Sequence, residues 1–157
     1  MRPAGPEDVP AIRAIYAPLV TGSHVSFEIV PPSIEEMRER METAPVPWLV
    51  ADEGRVVGFA SAGPFRSRPA YGRTAEASIY VAEEARRKGV GRALGEAILE
   101  ELRNAGYHSA IGVVALPNPD SERLLGKLGF RSVGTIREAG FKLGRWWDVQ
   151  LWQRVLE

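Results

Sequence analysis

A short basic segment with two glycines, between a predicted strand and a predicted amphipathic helix, most constrains how this chain can fold. Residues 86–93 read Arg-Arg-Lys-Gly-Val-Gly-Arg-Ala. The residues before them, 75–81, alternate between two faces as a strand does. The residues after them place Val90, Leu94, Ile98 and Leu102 at helical spacing. Strand, glycine turn and helix in direct succession are typical of α/β folds.

The same segment has the features of an anion cradle. Gly89 and Gly91 carry no side chain where backbone N–H groups would meet a ligand, and the helix N-terminus adds partial positive charge. Arg86, Lys88 and Arg92 add formal charge in the same place. These features predict a pyrophosphate site. The alternative is a glycine-containing turn with solvated basic side chains, because short glycine patterns recur by chance.

Two common nucleotide-binding motifs do not fit this segment. The phosphate loop of NTPases is absent, because no pair of glycines at its spacing precedes a Lys-Ser or Lys-Thr pair. The dinucleotide fingerprint needs three spaced glycines at the first strand–helix turn, whereas this segment follows a predicted hairpin. The cradle therefore belongs to another kind of fold.

The rest of the pattern predicts a mixed α/β sheet with helices on both faces. A stub of strand is expected within residues 1–4. Periodicity and turn residues indicate helices over 7–19, 33–41, 90–102 and 118–128, and strands over 48–52, 56–62, 75–81, 111–116, 132–142 and 145–155. No repeat or linker divides the chain, so we expect one domain, residues 1–157.

Composition excludes several classes of function. Twenty basic and 20 acidic residues cancel, which removes the long-range field of a non-specific nucleic-acid binder. Without cysteine there is no disulfide, thiolate zinc site or thiol nucleophile, and two histidines are too few for a histidine-built metal site. No segment approaches the about 20 apolar residues of a membrane span, and the N-terminus lacks a signal pattern. We expect a cytoplasmic protein with no metal, no nucleic-acid partner and no membrane association.

Further motifs carry a resemblance to a known family. Tyr80-Val81 followed by Arg86-x-x-Gly89-x-Gly91 resembles the acyl-CoA motif of the GNAT superfamily of N-acetyltransferases, and Asn118 with residues 128–130 resembles its next motif. Other segments are similar to the phosphinothricin and methionine sulfoximine acetyltransferases: residues 48–51, 62–64, 74–76, 116–118, 140–142 and 146–149, with Tyr71. The likeness runs from about Pro6 to Trp152. It implies the GNAT acyltransferase fold, with a mostly antiparallel mixed sheet of six to seven strands and about four helices.

The resemblance implies acetyl-CoA as co-substrate. Backbone N–H groups of residues 87–91 would hold the pyrophosphate, and the strand edge at 79–81 would bind the pantetheine amides. The Val81 N–H would polarise the thioester carbonyl. Asn118 would contact the pantetheine arm; its place before Pro119 also predicts a helix N-cap, and both roles can hold. The residues expected to bind the coenzyme are Ile79, Tyr80, Val81, Arg86, Arg87, Lys88, Gly89, Val90, Gly91, Arg92, Asn118 and Lys127.

Glu76 resembles the general base of the family, so the expected catalytic groups are Glu76 and Val81. A carboxylate among apolar and small strand residues is unusual unless it is paired or functional. The alternative is a glutamate on an exposed strand face. An ordinary glutamate has too low a pKa to take a proton efficiently from an ammonium group, so Glu76 needs a raised pKa or a bound water.

The resemblance also implies a small amino-acid-like acceptor held near the basic loop at 65–73. A guanidinium is the natural bidentate partner of a carboxylate or phosphinate. The residues expected to bind the acceptor are Phe27, Arg66, Arg68, Tyr71 and Arg73. Ser26 and Glu28 are expected to form, with Phe27, another wall of the acceptor pocket. The alternatives are a solvated loop for the arginines and satellite core for Phe27.

The chain departs from the family pattern at two positions. Leu125 stands where many members have a tyrosine or histidine that would protonate the departing thiolate, and Trp147 stands where some have histidine. Leucine cannot donate a proton, so water or the substrate ammonium would supply it. Neither His24, in a loop, nor His108, beside the long helix, is expected to take this place.

Together these interpretations predict an N-acetyltransferase that moves acetyl from acetyl-CoA to the α-amino group of phosphinothricin, methionine sulfoximine, methionine sulfone or a similar amino acid. Without cysteine, direct attack in a ternary complex is the expected mechanism. We expect a homodimer, with Trp146, Trp147 and Trp152 either in its contact or in the core. Two alternatives stay open: another acceptor, such as an amine or a protein N-terminus, and a non-catalytic acyl-CoA sensor.

Overall fold

A seven-stranded sheet runs through the molecule, which the computed structural model describes over residues 1–157. The strands are β1 (Arg2–Pro3), β2 (Leu49–Asp52), β3 (Val56–Pro64), β4 (Thr74–Val81), β5 (Ser109–Ala115), β6 (Arg131–Lys142) and β7 (Arg145–Val155). Their spatial order is β1-β2-β3-β4-β5-β7-β6, and only β4 and β5 pair in parallel. The expected mixed, mostly antiparallel sheet is confirmed.

Four helices cover the sheet: α1 (Val9–Gly22), α2 (Ile34–Glu42), α3 (Val90–Asn104) and α4 (Pro119–Lys127). A capping box opens α2 at the predicted start of this helix: the Ser33 hydroxyl accepts the Glu36 N–H at 3.1 Å and the Glu36 carboxylate accepts the Ser33 N–H at 2.8 Å. α1 continues past its predicted end at residue 19, because Val20 is buried against the sheet. None of these helices is both long and apolar enough to cross a membrane.

Each face of the sheet has its own core. On one face α3 buries Leu94, Ile98 and Leu102, each no more than 1% exposed, in the largest apolar cluster. On the other face α1 and α2 bury Val9, Ile12, Tyr16, Val20 and Met37 against Trp48, Val50 and Phe59. Full burial of one such aliphatic side chain contributes about 1.5–3 kcal/mol. β4 lies between the two cores, with Ile79 and Val81 packed on the α3 side and Tyr80 on the α1 side.

The sheet opens between its two parallel strands. β4 and β5 pair only from Thr74↔Ser109 to Glu76↔Ile111. Beyond that point β4 stays paired to β3 as far as Val81, and β5 stays paired to β7 as far as Ala115. The carboxyl ends of β4 and β5 therefore diverge. An opening forms between these two strands, while each stays paired to its other neighbour in the sheet.

The last strand in space, β6, pairs with β7 alone, and its residues 131–139 are all exposed. Two register shifts interrupt this pairing, and at the second the Glu138 N–H donates to the Asp148 carboxylate at 2.8 Å. Of the two alternatives for the tryptophans, the core placement holds for two of the three. Trp147 is buried, Trp152 packs against the α3 core, and Trp146 is 55% exposed.

Candidate active site

The opening between β4 and β5 holds a narrow cavity of about 70 Å³. It lies beneath α3 and α4, and both strands contribute to its walls. Residues lining it include Ala77, Ile79, Gly112, Asn118, Leu124 and Leu125. The opening thus brings β4 and the start of α4 to one place, as the sequence predicted for Ile79 and Asn118.

The edge of β4 presents free backbone groups to this opening. The Ala82 N–H donates to Val57 O at 2.8 Å and Phe65 N–H donates to Thr74 O at 3.4 Å, so the even-numbered residues of β4 direct their backbone groups to β3. Backbone direction alternates along a strand, so the N–H groups of Ile79 and Val81 face the opening, where no strand pairs with them. The Val81 carbonyl faces the same way and lies 3.4 Å from Arg86 Nε. A ligand in the opening can therefore hydrogen-bond to β4 as an added strand would.

The cradle lies at the start of α3. Gly89 has a φ of 84°, a conformation that side chains disfavour, and Ala93 N–H is the first to bond within the helix, to Gly89 O at 3.0 Å. The N–H groups of the residues between them have no intrahelical acceptor. At Gly91 a Cβ would lie 3.2 Å from Leu124 Cδ2, so glycine allows α3 and α4 to approach closely. The result is an uncovered helix N-terminus at the mouth of the opening.

The basic side chains around the cradle are exposed. Arg92 pairs with Glu96 at 2.8 Å, Arg87 lies 4.0 Å from Asp120, and Lys88 makes no hydrogen bond or ion pair within the protein. Such exposed pairs are weak and open readily to a competing anion. Lys127 lies apart from this group, in a groove with Arg103 and Arg154 along the second half of α3.

Asn118 has the predicted cap role. Its side-chain oxygen accepts the Ser121 N–H at 3.2 Å, and the residue lines the opening, so its amide NH₂ remains available to a ligand. His24, expected only in a loop, bonds through Nε2 to the Pro117 carbonyl at 2.7 Å and stacks on Trp147 with ring centroids 4.2 Å apart. The loop after α1 is thereby tied to the turn that precedes Asn118.

Glu76 lies on the face of β4 that points toward α1 and α2, opposite Gly63 of β3. Glycine opposite it leaves room for a ligand above the strand. Burial raises the pKa of the Glu76 carboxyl above its ordinary value, and no basic side chain offsets that shift. Tyr80 lies on the same face, and burial raises its pKa to about 12. The carboxylate is therefore more basic than a solvated glutamate.

A cleft of about 350 Å³ lies on this same face. Helices α1 and α2 supply one wall and β3 and β4 the other. Its lining includes Tyr16, Met37, Arg40, Phe59, Ser61 and Gly63. Ser78 and Tyr80 line both this cleft and the opening between β4 and β5, so the two spaces meet at β4. A second substrate placed here would reach the opening beside Glu76.

The wall from α1 and α2 contains a polar network that the sequence did not reveal. The Arg40 guanidinium donates to both oxygens of Glu28, and the Tyr16 hydroxyl donates to the same carboxylate. Tyr16 also bonds Ser26 Oγ at 2.8 Å, while buried Lys142 donates to Ser26 O at 2.5 Å. Of this network, the sequence predicted only Ser26 and Glu28, as walls of the acceptor pocket. Arg40 and Lys142 lie on separate elements and share no motif, so no sequence signal connects them.

The residues expected to bind the acceptor do not all come together. Arg66 stacks on Phe65 and Tyr71, with its Cζ 5.0 and 5.7 Å from the ring centroids, in the loop that follows the cleft-lining end of β3. Arg68 is exposed in the same loop.

Phe27 and Arg73 are held elsewhere. The Phe27 ring lies against Gly140 of β6 and is 39% exposed. Arg73 is directed away from the cleft, because its Nε donates to Gly106 O at 2.9 Å beyond the end of α3.

Leu125 packs against β5 at the side of the opening. A Cβ at Gly112 would lie 3.0 Å from Leu125 Cδ1, so this leucine rests directly on the backbone of β5. It lines the opening and is 9% exposed. The protein therefore supplies an apolar contact there and no acid.

A helix N-terminus and a strand edge with free N–H groups beside one opening, with a basic carboxylate on the other face of the same strand, are typical of an enzyme that transfers an acyl group from an acyl-CoA. The chain belongs to the acetyltransferase (GNAT) family, whose model matches residues 13–130. It is accordingly an acetyl-CoA-dependent N-acetyltransferase, as the motifs predicted.

Curated relatives cover the whole chain. The phosphinothricin N-acetyltransferase of Streptomyces viridochromogenes is 39% identical over all of this chain and 87% of its own length. The L-methionine sulfoximine/L-methionine sulfone acetyltransferase of Pseudomonas aeruginosa is 33% identical over all of this chain and 94% of its own. Among solved structures, the phosphinothricin acetyltransferase of Sinorhizobium meliloti in complex with acetyl-CoA superposes with a TM-score of 0.93 at 36% identity, over 99% of this chain and 86% of that one. The expected resemblance to this group of acetyltransferases is confirmed.

Proposed function

We propose that this enzyme transfers acetyl directly to the α-amino group of a small amino acid or analogue, in a ternary complex with acetyl-CoA. The observation that carries the proposal is the meeting of the two spaces at β4, with the β4–β5 opening on one side and the cleft beside Glu76 on the other. The acyl acceptors named for the similar enzymes, phosphinothricin and methionine sulfoximine or sulfone, are of this size.

The coenzyme would lie along the free edge of β4. Its pyrophosphate would meet the N–H groups at the start of α3, and its pantetheine amides would bond to the strand edge and Asn118. Strand rise separates Glu76 from Ile79 by about 10 Å and from Val81 by about 16 Å. We therefore assign the thioester carbonyl to the Ile79 N–H and a pantetheine amide to the Val81 N–H. This places the oxyanion contact two residues closer to the base than the Val81 N–H that the family resemblance implied.

In this mechanism Glu76 takes a proton from the acceptor ammonium through a bound water. The free amine attacks the thioester carbon, and the oxyanion forms against the strand N–H. When the intermediate collapses, the attacking nitrogen loses its second proton, the C–S bond breaks and coenzyme A leaves as a thiolate. That second proton, passed on through water, neutralises the thiolate, since Leu125 holds no proton.

Glu76→Gln tests this role. With acetyl-CoA and methionine sulfoximine, kcat should fall by about 10²–10⁴, the usual range for a general base. Glu53→Gln, an exposed carboxylate in the β2–β3 turn, is the matched control and should leave kcat unchanged. Turnover is followed by release of free thiol, and acetyl-CoA affinity by calorimetry. Unchanged turnover in a folded Glu76→Gln enzyme would remove Glu76 from the mechanism.

The same assay separates the alternatives to this proposal. An acceptor panel of amino acids, simple amines and a peptide with a free N-terminus would identify another acceptor class if only the amines or the peptide are acetylated. Acetyl-CoA binding with no acetylation of any acceptor would instead support an acyl-CoA sensor.

We further propose that two copies of the chain associate through β6 and β7. Five large apolar residues there are at least half exposed: Val133, Ile136, Phe141, Leu143 and Trp146. Phe141 and Trp146 contact each other across the hairpin with ring centroids 5.3 Å apart. An apolar patch of this kind, along a strand with one unpaired edge, is typical of a protein–protein contact.

A further inference from the structure

Arg40, which lines the cleft opposite β4, forms an ion pair with Glu28 in the loop between α1 and α2. Arg40 Nη1 lies 3.0 Å from Glu28 Oε2 and Nη2 lies 2.6 Å from Oε1, the bidentate geometry of a strong pair. The side chains are 46% and 31% exposed, and Arg40 lines the cleft. The guanidinium of the pair is therefore accessible to a substrate in the cleft, and the partly exposed carboxylate lies directly beside it.

Several contacts hold this pair in one position. Tyr16, buried on α1 against the sheet, donates to Glu28 and bonds Ser26 as well. Lys142 fixes the Ser26 carbonyl from β6, 116 residues away in sequence. Because both ends of the network belong to packed elements, the guanidinium plane of Arg40 is oriented before any substrate binds.

The pair offers hydrogen-bond donors without net positive charge. Glu28 takes two of the five N–H donors of the guanidinium, and the others make no hydrogen bond within the protein. The charge of Arg40 is balanced by Glu28, with which it pairs, and Glu36 adds a negative charge one turn earlier on α2. Arg40 and Tyr80 both line the cleft, and Tyr80 lies on the same face of β4 as Glu76, so the ion pair and the base lie on the same side of the sheet.

We propose that the Glu28–Arg40 pair recognises the side-chain end of the acceptor and selects neutral, oxygen-bearing side chains over anionic ones. This rests on the proposed function, which places the α-amino group of the acceptor at Glu76. A neutral sulfone oxygen accepts the spare N–H groups of Arg40 at no electrostatic cost. An anionic phosphinate gains no net attraction from Arg40, because Glu28 cancels the guanidinium charge, and it is repelled by the Glu28 carboxylate beside it.

Methionine sulfone and phosphinothricin form a matched pair of probes for this selectivity. The two amino acids have the same chain, and the methylsulfonyl group of one replaces the methylphosphinate of the other, so they differ in side-chain charge at nearly constant shape. The selectivity ratio is defined as kcat/KM for the sulfone divided by kcat/KM for phosphinothricin. We expect this ratio to exceed one for the unaltered enzyme.

Two substitutions should move the ratio in opposite directions. Glu28→Gln keeps an oxygen that can accept from Arg40 and removes the negative charge, so the ratio should fall about tenfold. Arg40→Met leaves Glu28 unpaired against an anionic acceptor, so the ratio should rise about tenfold. Arg55→Met, from the exposed Arg55–Glu84 pair on the β2–β3 hairpin side, is the control and should leave the ratio unchanged.

A role confined to holding the loop would lower kcat/KM for both acceptors alike and leave the ratio constant in both variants. A constant ratio, a shift of both variants in the same direction, or a preference of the unaltered enzyme for phosphinothricin overturns the inference. Thermal melts and acetyl-CoA affinity establish that each variant is folded, and Glu28→Gln carries the test if Arg40→Met does not fold. Failure of the unaltered enzyme to acetylate either amino acid overturns the proposed function, and this inference with it.

Discussion

At the residue scale, the basicity of Glu76 comes from where it lies and not from a charged partner. It is on an interior strand, and burial without a neighbouring cation raises its pKa. The folded chain therefore holds the Glu76 proton more tightly than the unfolded chain does. This favours folding below the unfolded pKa, and the contribution is lost as pH rises through the folded pKa.

Glu76→Gln should consequently stabilise the protein at neutral pH. Glutamine is always neutral, so the variant avoids the cost of burying a charge that the original enzyme bears at about pH 7. Its melting temperature should exceed that of the original enzyme at about pH 7 and approach it near pH 4. Thermal melts over this range give the difference, and Glu53→Gln should show no such trend. A difference that does not vary with pH would contradict the buried, titrating carboxylate.

The raised pKa of Glu76 also predicts how activity depends on pH. The base must be ionised to accept a proton, so kcat/KM should rise with pH through the raised pKa of Glu76. The slope should vanish in the residual activity of Glu76→Gln, and free-thiol release at saturating acetyl-CoA measures both profiles.

At the element scale, the start of α3 depends on a backbone conformation that only glycine adopts without strain. Gly89, with a φ of 84°, turns the chain into the helix and leaves its first N–H groups uncovered. No atom lies within 4 Å of a Cβ built there, so the constraint is conformational and not steric crowding. Gly89 therefore determines both where α3 begins and how the N–H groups of the cradle are exposed.

Gly89→Ala should cost about 1–2 kcal/mol of stability, the usual penalty for a left-handed residue with a side chain. It should also weaken acetyl-CoA binding, because relief of the strain moves the N–H groups of the cradle. Gly126→Ala is the control: it lies in α4 with open space around it, and should stabilise the protein by up to about 1 kcal/mol. Chemical unfolding and calorimetric titration with acetyl-CoA measure the two effects. Unaltered stability and affinity in Gly89→Ala would disprove this role.

Element boundaries were predictable where local chemistry sets them. The start of α2 at its capping box, the Asn118 cap of α4 and the break between β6 and β7 at residues 143–144 all lie where the sequence predicted an element to begin or end. The end of α1 and the two irregularities of β6 were not predicted. Burial of Val20 against the sheet and the bond from Glu138 to Asp148 decide them, and both are contacts between elements.

At the scale of the whole molecule, β6 is the one strand with a long exposed surface. Residues 131–139 are exposed, and the strand has a single neighbour in the sheet. An unpaired strand edge with apolar side chains promotes aggregation unless another surface covers it. The proposed association of two copies would cover it.

Trp146→Glu should convert the proposed dimer to a monomer, because it places a charge in the apolar contact with Phe141. Val155→Glu changes another exposed apolar residue, at the far end of β7, and should leave the assembly intact. Sedimentation velocity at micromolar concentration distinguishes the two states. A monomeric unaltered protein would refute the proposed contact.

Features that depend on neighbouring residues were accessible from the order of amino acids alone. They include the helices and strands, the glycine cradle, the Asn118 cap and, through the resemblance, the acetyltransferase family. Local backbone preference and apolar periodicity act over a few residues, so the chain specifies them without knowledge of its tertiary contacts.

Other features depend on which distant segments meet, and these only the folded structure decided. The divergence of β4 from β5, the tie of Arg73 to Gly106 and the Glu28–Arg40 pair all join separate elements. Their physical basis is the packing of α1 and α2 on one face of the sheet and α3 and α4 on the other. That packing places side chains and free backbone groups around the β4–β5 opening and the cleft. Neither space is formed by a single segment of the chain.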